Sequence, residues 1–124
     1  HKQNRFWKVM AGIYGEAEPQ GIDDKRRMLL KNHVAIWDVI HECDIHGSSD
    51  SSIKNVIATD LGSLMHNTGI KRIYANGNKA GALYKKYQQK LTGMDITILP
   101  STSPANAAWS LEKLIAAWQV VNGR

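Results

Sequence analysis

Cysteine is nearly missing from this chain: Cys43 stands alone among 124 residues, which excludes an internal disulfide and fits a reducing compartment. The localisation expected from this is cytoplasmic, nucleoid-associated in a prokaryote. Long apolar runs are missing as well. No stretch approaches the ~18 residues that a membrane span needs, so no membrane partner is expected. The first residues, His1-Lys2-Gln3-Asn4-Arg5-Phe6-Trp7, lack the apolar core of a signal peptide. They also lack a Met, so we expect a processed chain or one cut from something longer. No Gly-rich phosphate loop of the P-loop or dinucleotide kind is present. The cluster His41-Glu42-Cys43-Asp44-Ile45-His46 matches no standard zinc spacing and there is no second cysteine pair, so no metal is expected. Acidic residues are the scarcer charge, 11 against 16 Lys and Arg, and the net +5 favours a polyanionic partner.

What remains is ordinary globular composition, with 43% hydrophobic and 22% charged residues. A chain of this length closes one core, so residues 1–124 are read as a single domain. Trp7, Met10, Ala11 and Tyr14 recur at helical spacing, predicting a helix from about Asn4, itself an N-cap candidate. Gly15 to Ile22, with Pro19 and Gly21, reads as a loop, and Asp23-Asp24 opens a second helix with Met28 and Leu29 inward. Ala35 to Ile40 is short, apolar and β-branched, which predicts a buried strand, followed by a polar loop over 41–52. Thr59 can cap a helix that carries Leu61, Leu64 and Met65 and ends at Gly69. A second strand covers 70–75, and Asn76-Gly77-Asn78 turns it. A helix with Ala80, Leu83, Tyr84, Tyr87 and Leu91 on one face follows, then a third strand over 95–99 stopped by Pro100. A last helix carries Leu111, Leu114, Ile115, Trp118 and Val121.

Strands alternating with helices imply right-handed crossovers and a parallel sheet covered on both faces. Ligands of such folds bind beyond the carboxyl ends of the strands, which here lead into 41–52, 76–79 and 100–106. Leu99-Pro100-Ser101-Thr102-Ser103-Pro104-Ala105-Asn106 carries three hydroxyls between prolines. It reads either as a phosphate contact at a helix start or simply as a capped helix, Pro104 at the first turn and Ser103 as cap. Gly47-Ser48-Ser49-Asp50-Ser51-Ser52 is a phosphate loop or a flexible one, and Asn76-Gly77 aims an amide at a ligand or only makes a turn. Asp38, a carboxylate inside an apolar run, is a satisfied structural acid or part of a site.

In this order the pieces resemble the uracil-DNA glycosylase superfamily, most of all its hypoxanthine-DNA (deoxyinosine) glycosylase branch. Asn4-Arg5-Phe6-Trp7 resembles the segment after the first active-site motif, shared with the mismatch-specific uracil and thymine glycosylases. Ile36-Trp37-Asp38-Val39-Ile40 and then Gly47 to Ile53 resemble the second strand and its loop in the deoxyinosine branch. Asn76-Gly77-Asn78-Lys79-Ala80 resembles the turn after the third strand, and Leu99 to Asn106 the second active-site motif, which in the family grips DNA near the flipped nucleotide. The likeness covers nearly the whole chain.

The resemblance implies a three-layer α/β/α fold on a short parallel four-stranded sheet. Its Gly- and Pro-containing first motif should precede His1, so the first strand is expected to be absent from this chain and the domain to be amino-terminally incomplete. That strand lies between the second and third in the family. The strand near 35–40 would then stand two strand spacings, roughly 9–10 Å, from the one near 71–75, and the strands near 71–75 and 96–99 would pair in parallel. The implied activity is base-excision repair, in which the N-glycosidic bond of a deaminated base, hypoxanthine or uracil, is hydrolysed after base flipping. It implies a monomer acting on double- or single-stranded DNA, without cofactor or covalent nucleophile. Asn4 would position the attacking water, with its N-cap role as the alternative. Asn76 would bond the base or brace the leaving group, and Phe6 and Asp38 would line the base pocket. Ser48, Ser49, Ser101, Thr102 and Ser103 would contact phosphates, with Arg5, Lys8 and Lys79 the nearest cations in sequence. A non-catalytic DNA-binding α/β domain and a hydrolase of free nucleotides are the rivals. Composition fits all three.

Overall fold

A computed structural model describes residues 4–37, 40–44, 54–58 and 69–123. The expected helix over 61–65, Asp38, and the serine loop with Ser48 and Ser49 lie outside the described residues. The chain divides into two compact units, one of His1–Ile36, Asn76–Asn78 and Ile98–Arg124, the other of Trp37–Ala75 and Lys79–Thr97.

The first unit is built on helices α1 (Phe6–Tyr14), α2 (Gly21–Lys31) and α5 (Leu111–Trp118), the last continued by a 3-10 turn over Gln119–Val121. In α1 and α5 apolar positions recur every three to four residues and each helix buries one stripe, whereas α2 buries Met28 alone. Val9, Met10, Ala11 and Ile13 of α1, Met28 of α2, and Leu114 and Trp118 of α5 form the core with Leu99. Each such side chain contributes roughly 1.5–3 kcal/mol by leaving water. Two side chains tie this core to the backbone: the Trp118 indole N–H donates to the Pro100 carbonyl at 2.9 Å, and the Asn122 amide N–H to that of Ile13 at 2.8 Å.

Helix ends depart from expectation by a residue or two. Arg5, not Asn4, occupies the cap position of α1, and Asn4 instead accepts the Phe6 N–H at 2.9 Å from one residue further out. Helix α2 starts at Gly21, where Asp24 reaches back to the Gln20 N–H at 3.1 Å. The helix expected to start at Pro104 is a pair of turns: Asn106 N–H donates to Ser103 O at 3.0 Å and Trp109 N–H to Asn106 O at 3.2 Å. Helix α5 begins at Leu111 under a Ser110 cap whose hydroxyl accepts from Lys113 N–H at 3.2 Å. A serine seven residues downstream competes for the cap, and the Arg5 side chain occupies the carbonyls of the turns, so the helix starts late.

Strands β3 (Tyr74–Asn76) and β4 (Thr97–Leu99) form a small parallel sheet. Thr97 N–H donates to Ile73 O at 3.1 Å and Gly77 N–H to Leu99 O at 2.9 Å, so both partners advance together along the chain. This is the parallel pairing expected of these two segments. The four-stranded sheet is not found among the described residues. The segment expected as its second strand is not a strand over 34–37, where Ile36 and Trp37 are 46% and 49% exposed. The strand begins at Ile40: β1 (Ile40–Asp44) pairs antiparallel with β2 (Lys54–Ala58), Ile40 opposite Ala58 and Asp44 opposite Lys54. The polarity of 41–44 argued for a loop, but an antiparallel pair satisfies its backbone whatever its side chains are.

Between β3 and β4 run α3 (Asn78–Tyr87) and α4 (Gln89–Thr92). Tyr84 is buried, its hydroxyl donating to Met94 O at 2.7 Å and meeting Thr92 Oγ1. The break at Gln88 rotates the next turn, which leaves Leu91 57% exposed rather than on the apolar stripe. No described helix is long and apolar enough to cross a membrane.

Candidate active site

The chain leaves β3 through Asn76-Gly77 and leaves β4 through Pro100 to Ser103, and the two exits touch. Gly77 is held at φ +95° with its N–H on Leu99 O, and a β-carbon there would lie 3.1 Å from Ser101 Cβ. Only a glycine adopts that angle freely this close to a neighbour.

The close approach brings Asn76 onto Thr102. Asn76 Nδ2 donates to Thr102 Oγ1 at 2.9 Å, and Thr102 N–H donates back to Asn76 Oδ1 at 3.0 Å. On its other side the Thr102 hydroxyl donates to Asn4 Oδ1 at 2.7 Å. The two asparagines expected to carry chemistry are thus joined through one threonine, although 26 and 98 residues separate them from it. All three belong to the first unit. Thr102 is fully buried with its hydroxyl used in both directions, so it faces the asparagines and not a phosphate.

Ser101 and Ser103 face the other way. Both line an open cavity of about 580 Å³ together with Asn78, Pro100, Asn106 and Trp109. Their hydroxyl oxygens accept backbone N–H groups, Ser101 from Ser103 at 3.1 Å and Ser103 from Ala105 at 3.2 Å. The hydroxyl protons remain to be donated, as an acceptor-only phosphate requires. Neither Asn4 nor Asn76 is on the lining of this cavity. Phe6 stands edge-on to Trp7 and Trp118, with centroids 5.0 and 5.8 Å away, and is half-buried.

Arg5 was expected near DNA and is used internally. Its guanidinium donates to the carbonyls of Thr102 at 3.4 Å, Ser103 at 2.9 Å, Asn106 at 3.1 Å and Trp109, while its own backbone N–H takes Thr102 O at 3.1 Å. Its adjacency to Asn4 and Phe6 was visible in the sequence, but no local signal shows that its partners lie about a hundred residues on. Trp109, also unforeseen, lines the cavity from the turn that Arg5 holds. No group of three or more potential metal ligands occurs among the described residues.

No family model matches the sequence. The chain is 30% identical over 123 residues to a hypoxanthine DNA glycosylase from Methanosarcina barkeri, covering 95% of this chain and 74% of that protein. Among solved structures it resembles the solution NMR structure of a candidate uracil DNA glycosylase from Methanosarcina acetivorans, with a TM-score of 0.76 and 27% identity. That match covers 98% of this chain and 77% of the other. The paired β3 and β4, Asn76 at the exit of β3 and these likenesses agree: the chain belongs to the uracil-DNA glycosylase superfamily, in its hypoxanthine-DNA glycosylase branch.

Proposed function

We propose that this chain is a monofunctional DNA glycosylase that hydrolyses the N-glycosidic bond of a deaminated base, hypoxanthine first and uracil second. The observation that carries the reading is the Asn4–Thr102–Asn76 network, two neutral amides held in fixed orientation beside a loop with free hydroxyl protons. Cleavage of the C1′–N bond leaves positive charge on the sugar and sends the bond's electron pair to the departing base. Pre-set amide donors stabilise such charge without a metal or a covalent nucleophile.

Asn4 Oδ1 already accepts from Phe6 N–H and from the Thr102 hydroxyl, so Asn4 has only its N–H groups to offer. It holds the attacking water by donating into one lone pair and leaving the other for C1′, and the water's proton ends on the departing base anion, through solvent, as its oxygen bonds C1′. Asn76 uses one N–H on Thr102 and bonds the base through the other. Phe6 lines the flipped base, and Ser101 and Ser103 hold phosphate through their hydroxyl protons; the roles expected of Asp38, Ser48 and Ser49 fall on residues outside the described ones.

The test mixes the full-length protein with duplexes carrying one deoxyinosine or one deoxyuridine, then adds alkali. Strand breaks at the deaminated base, only after alkali, are the expected result. Binding without breaks would identify a DNA-binding domain instead, and release of hypoxanthine from free deoxyinosine a nucleotide hydrolase. Asn4→Asp probes the site itself. It keeps the oxygen that faces Phe6 and Thr102 but removes the donor, so the single-turnover rate should fall about 100-fold or more while melting temperature holds and DNA affinity drops only by the repulsion of one added negative charge. An unchanged rate leaves Asn4 with only a structural role.

A further inference from the structure

Thr102 is fully buried in a loop whose flanking Ser101 and Ser103 are only half-buried, and it makes three hydrogen bonds to two side chains. We propose that Thr102 is a positioning residue whose hydroxyl locks both asparagine amides in place as their shared second anchor, a role that rests on the glycosylase reading above.

Two backbone groups that cannot be reversed determine the direction of every bond. The Phe6 N–H can only donate, so the Asn4 atom 2.9 Å from it is oxygen. The Thr102 hydroxyl, 2.7 Å from that same oxygen, must therefore spend its proton there. Having no second proton, it must accept from Asn76, which therefore turns its nitrogen to it at 2.9 Å. The Thr102 N–H closes the ring on Asn76 Oδ1 at 3.0 Å. Turning either amide over would set donor against donor or acceptor against acceptor. The two backbone N–H groups thus fix which way each amide faces, and the hydroxyl between them gives each a second anchor, leaving Asn4 with only N–H groups to present and Asn76 with its second N–H.

Removing the hydroxyl does not dismantle the scaffold. In Thr102→Val, Asn4 keeps its bond from Phe6 N–H and Asn76 keeps the backbone N–H of residue 102, so each amide retains one anchor and can pivot about it. Loss of the second anchor should cost rate and not affinity, because a misplacement of about 1 Å is worth on the order of 100-fold in a positioned reaction.

The experiment uses the full-length protein and a duplex with one deoxyinosine, measuring the single-turnover rate of base release and the affinity for the same duplex. Thr102→Val is expected to slow release about 10- to 100-fold with affinity within about twofold, and Thr102→Ser to recover most of the rate. The side-chain amide NMR signals of Asn4 and Asn76 should shift and broaden in Thr102→Val and stay near their original positions in Thr102→Ser. Thr102→Ala, which puts no added branch against the polar groups, is the second variant should Thr102→Val not fold, and the same split is expected of it. An unchanged rate in either folded variant overturns the proposal. So does a parallel fall of rate, affinity and melting temperature that Thr102→Ser fails to rescue. A full-length protein that releases no base from deoxyinosine or deoxyuridine overturns the glycosylase reading and this proposal with it. An active protein with an equally active Thr102→Val overturns only the role of Thr102.

Discussion

A guanidinium carries five N–H donors in a rigid fork, and Arg5 commits four of them to the carbonyls of Thr102, Ser103, Asn106 and Trp109. Those carbonyls belong to turns with few hydrogen bonds of their own, so Arg5 does for 102–109 what a helix would otherwise do. Arg5→Ala should lower stability by about 2–4 kcal/mol, since charge-assisted bonds to half-buried carbonyls are lost together. Arg5→Lys should recover less than half, because an ammonium is one point and cannot span the set. Urea titrations of the two variants measure this, and a loss under about 1 kcal/mol for Arg5→Ala would show that the turns hold themselves. The same residue marks the limit of reading a site from sequence. Asn76 and the hydroxyl run are legible as chemistry-bearing types next to strand exits, whereas Asn4 reads on its own as a helix cap and gains a catalytic role only through the resemblance. Whether a cation or hydroxyl in such a run faces solvent or the interior depends on which carbonyl or amide lies opposite it in space. That is why Arg5 and Thr102 turned out to be internal while Ser101 and Ser103 stayed on the cavity.

At the scale of elements, α1 and α5 pack through Gly12, where a β-carbon would come within 2.5 Å of Ile115 Cδ1 and 2.8 Å of its Cγ1. The close approach lets Phe6 meet Trp118 edge-on, and it holds Asn4 at the start of α1 against the loop leading into α5. Gly12→Ala gains about 1 kcal/mol of helix propensity, but it forces the stiff, β-branched Ile115 aside at about 1–3 kcal/mol. A net loss of up to about 2 kcal/mol is expected, and Ile115→Ala should convert the same substitution into a gain. Additive effects in the double mutant would refute the packing account. The helices were readable because burial of one stripe every 3.6 residues leaves a strong pattern. The antiparallel pair of β1 and β2 was not, since β1 has too few apolar residues to leave an alternation. The missing helix at Pro104 was a third kind of miss, where a sound local cap signal lost to the long-range bonds of Arg5.

At the scale of the molecule, charge governs attraction to a polyanion. The net +5 is spread over 16 Lys and Arg, and part of it is spent internally: Arg5 on carbonyls, Arg27 on Asp24 at 3.2 Å and Lys31 on Glu16 at 3.7 Å. Lys8, exposed on α1 four residues after Asn4, is a cation of the first unit that can reach a phosphate beside Asn4. If the protein grips DNA as proposed, each neutralised phosphate releases counterions, and about four of them would weaken binding about a hundredfold between roughly 50 and 200 mM salt. Lys8→Ala should flatten the slope of log affinity against log salt by about one unit and leave the single-turnover rate alone, because it removes a phosphate contact and no transition-state contact. Asn4→Asp makes the converse prediction, a lost rate on a slope that changes little apart from the added negative charge. Titration of both variants over the same salt series separates the two contributions. A slope near zero for the parent protein would remove phosphate contacts, and with them DNA, from the functional reading.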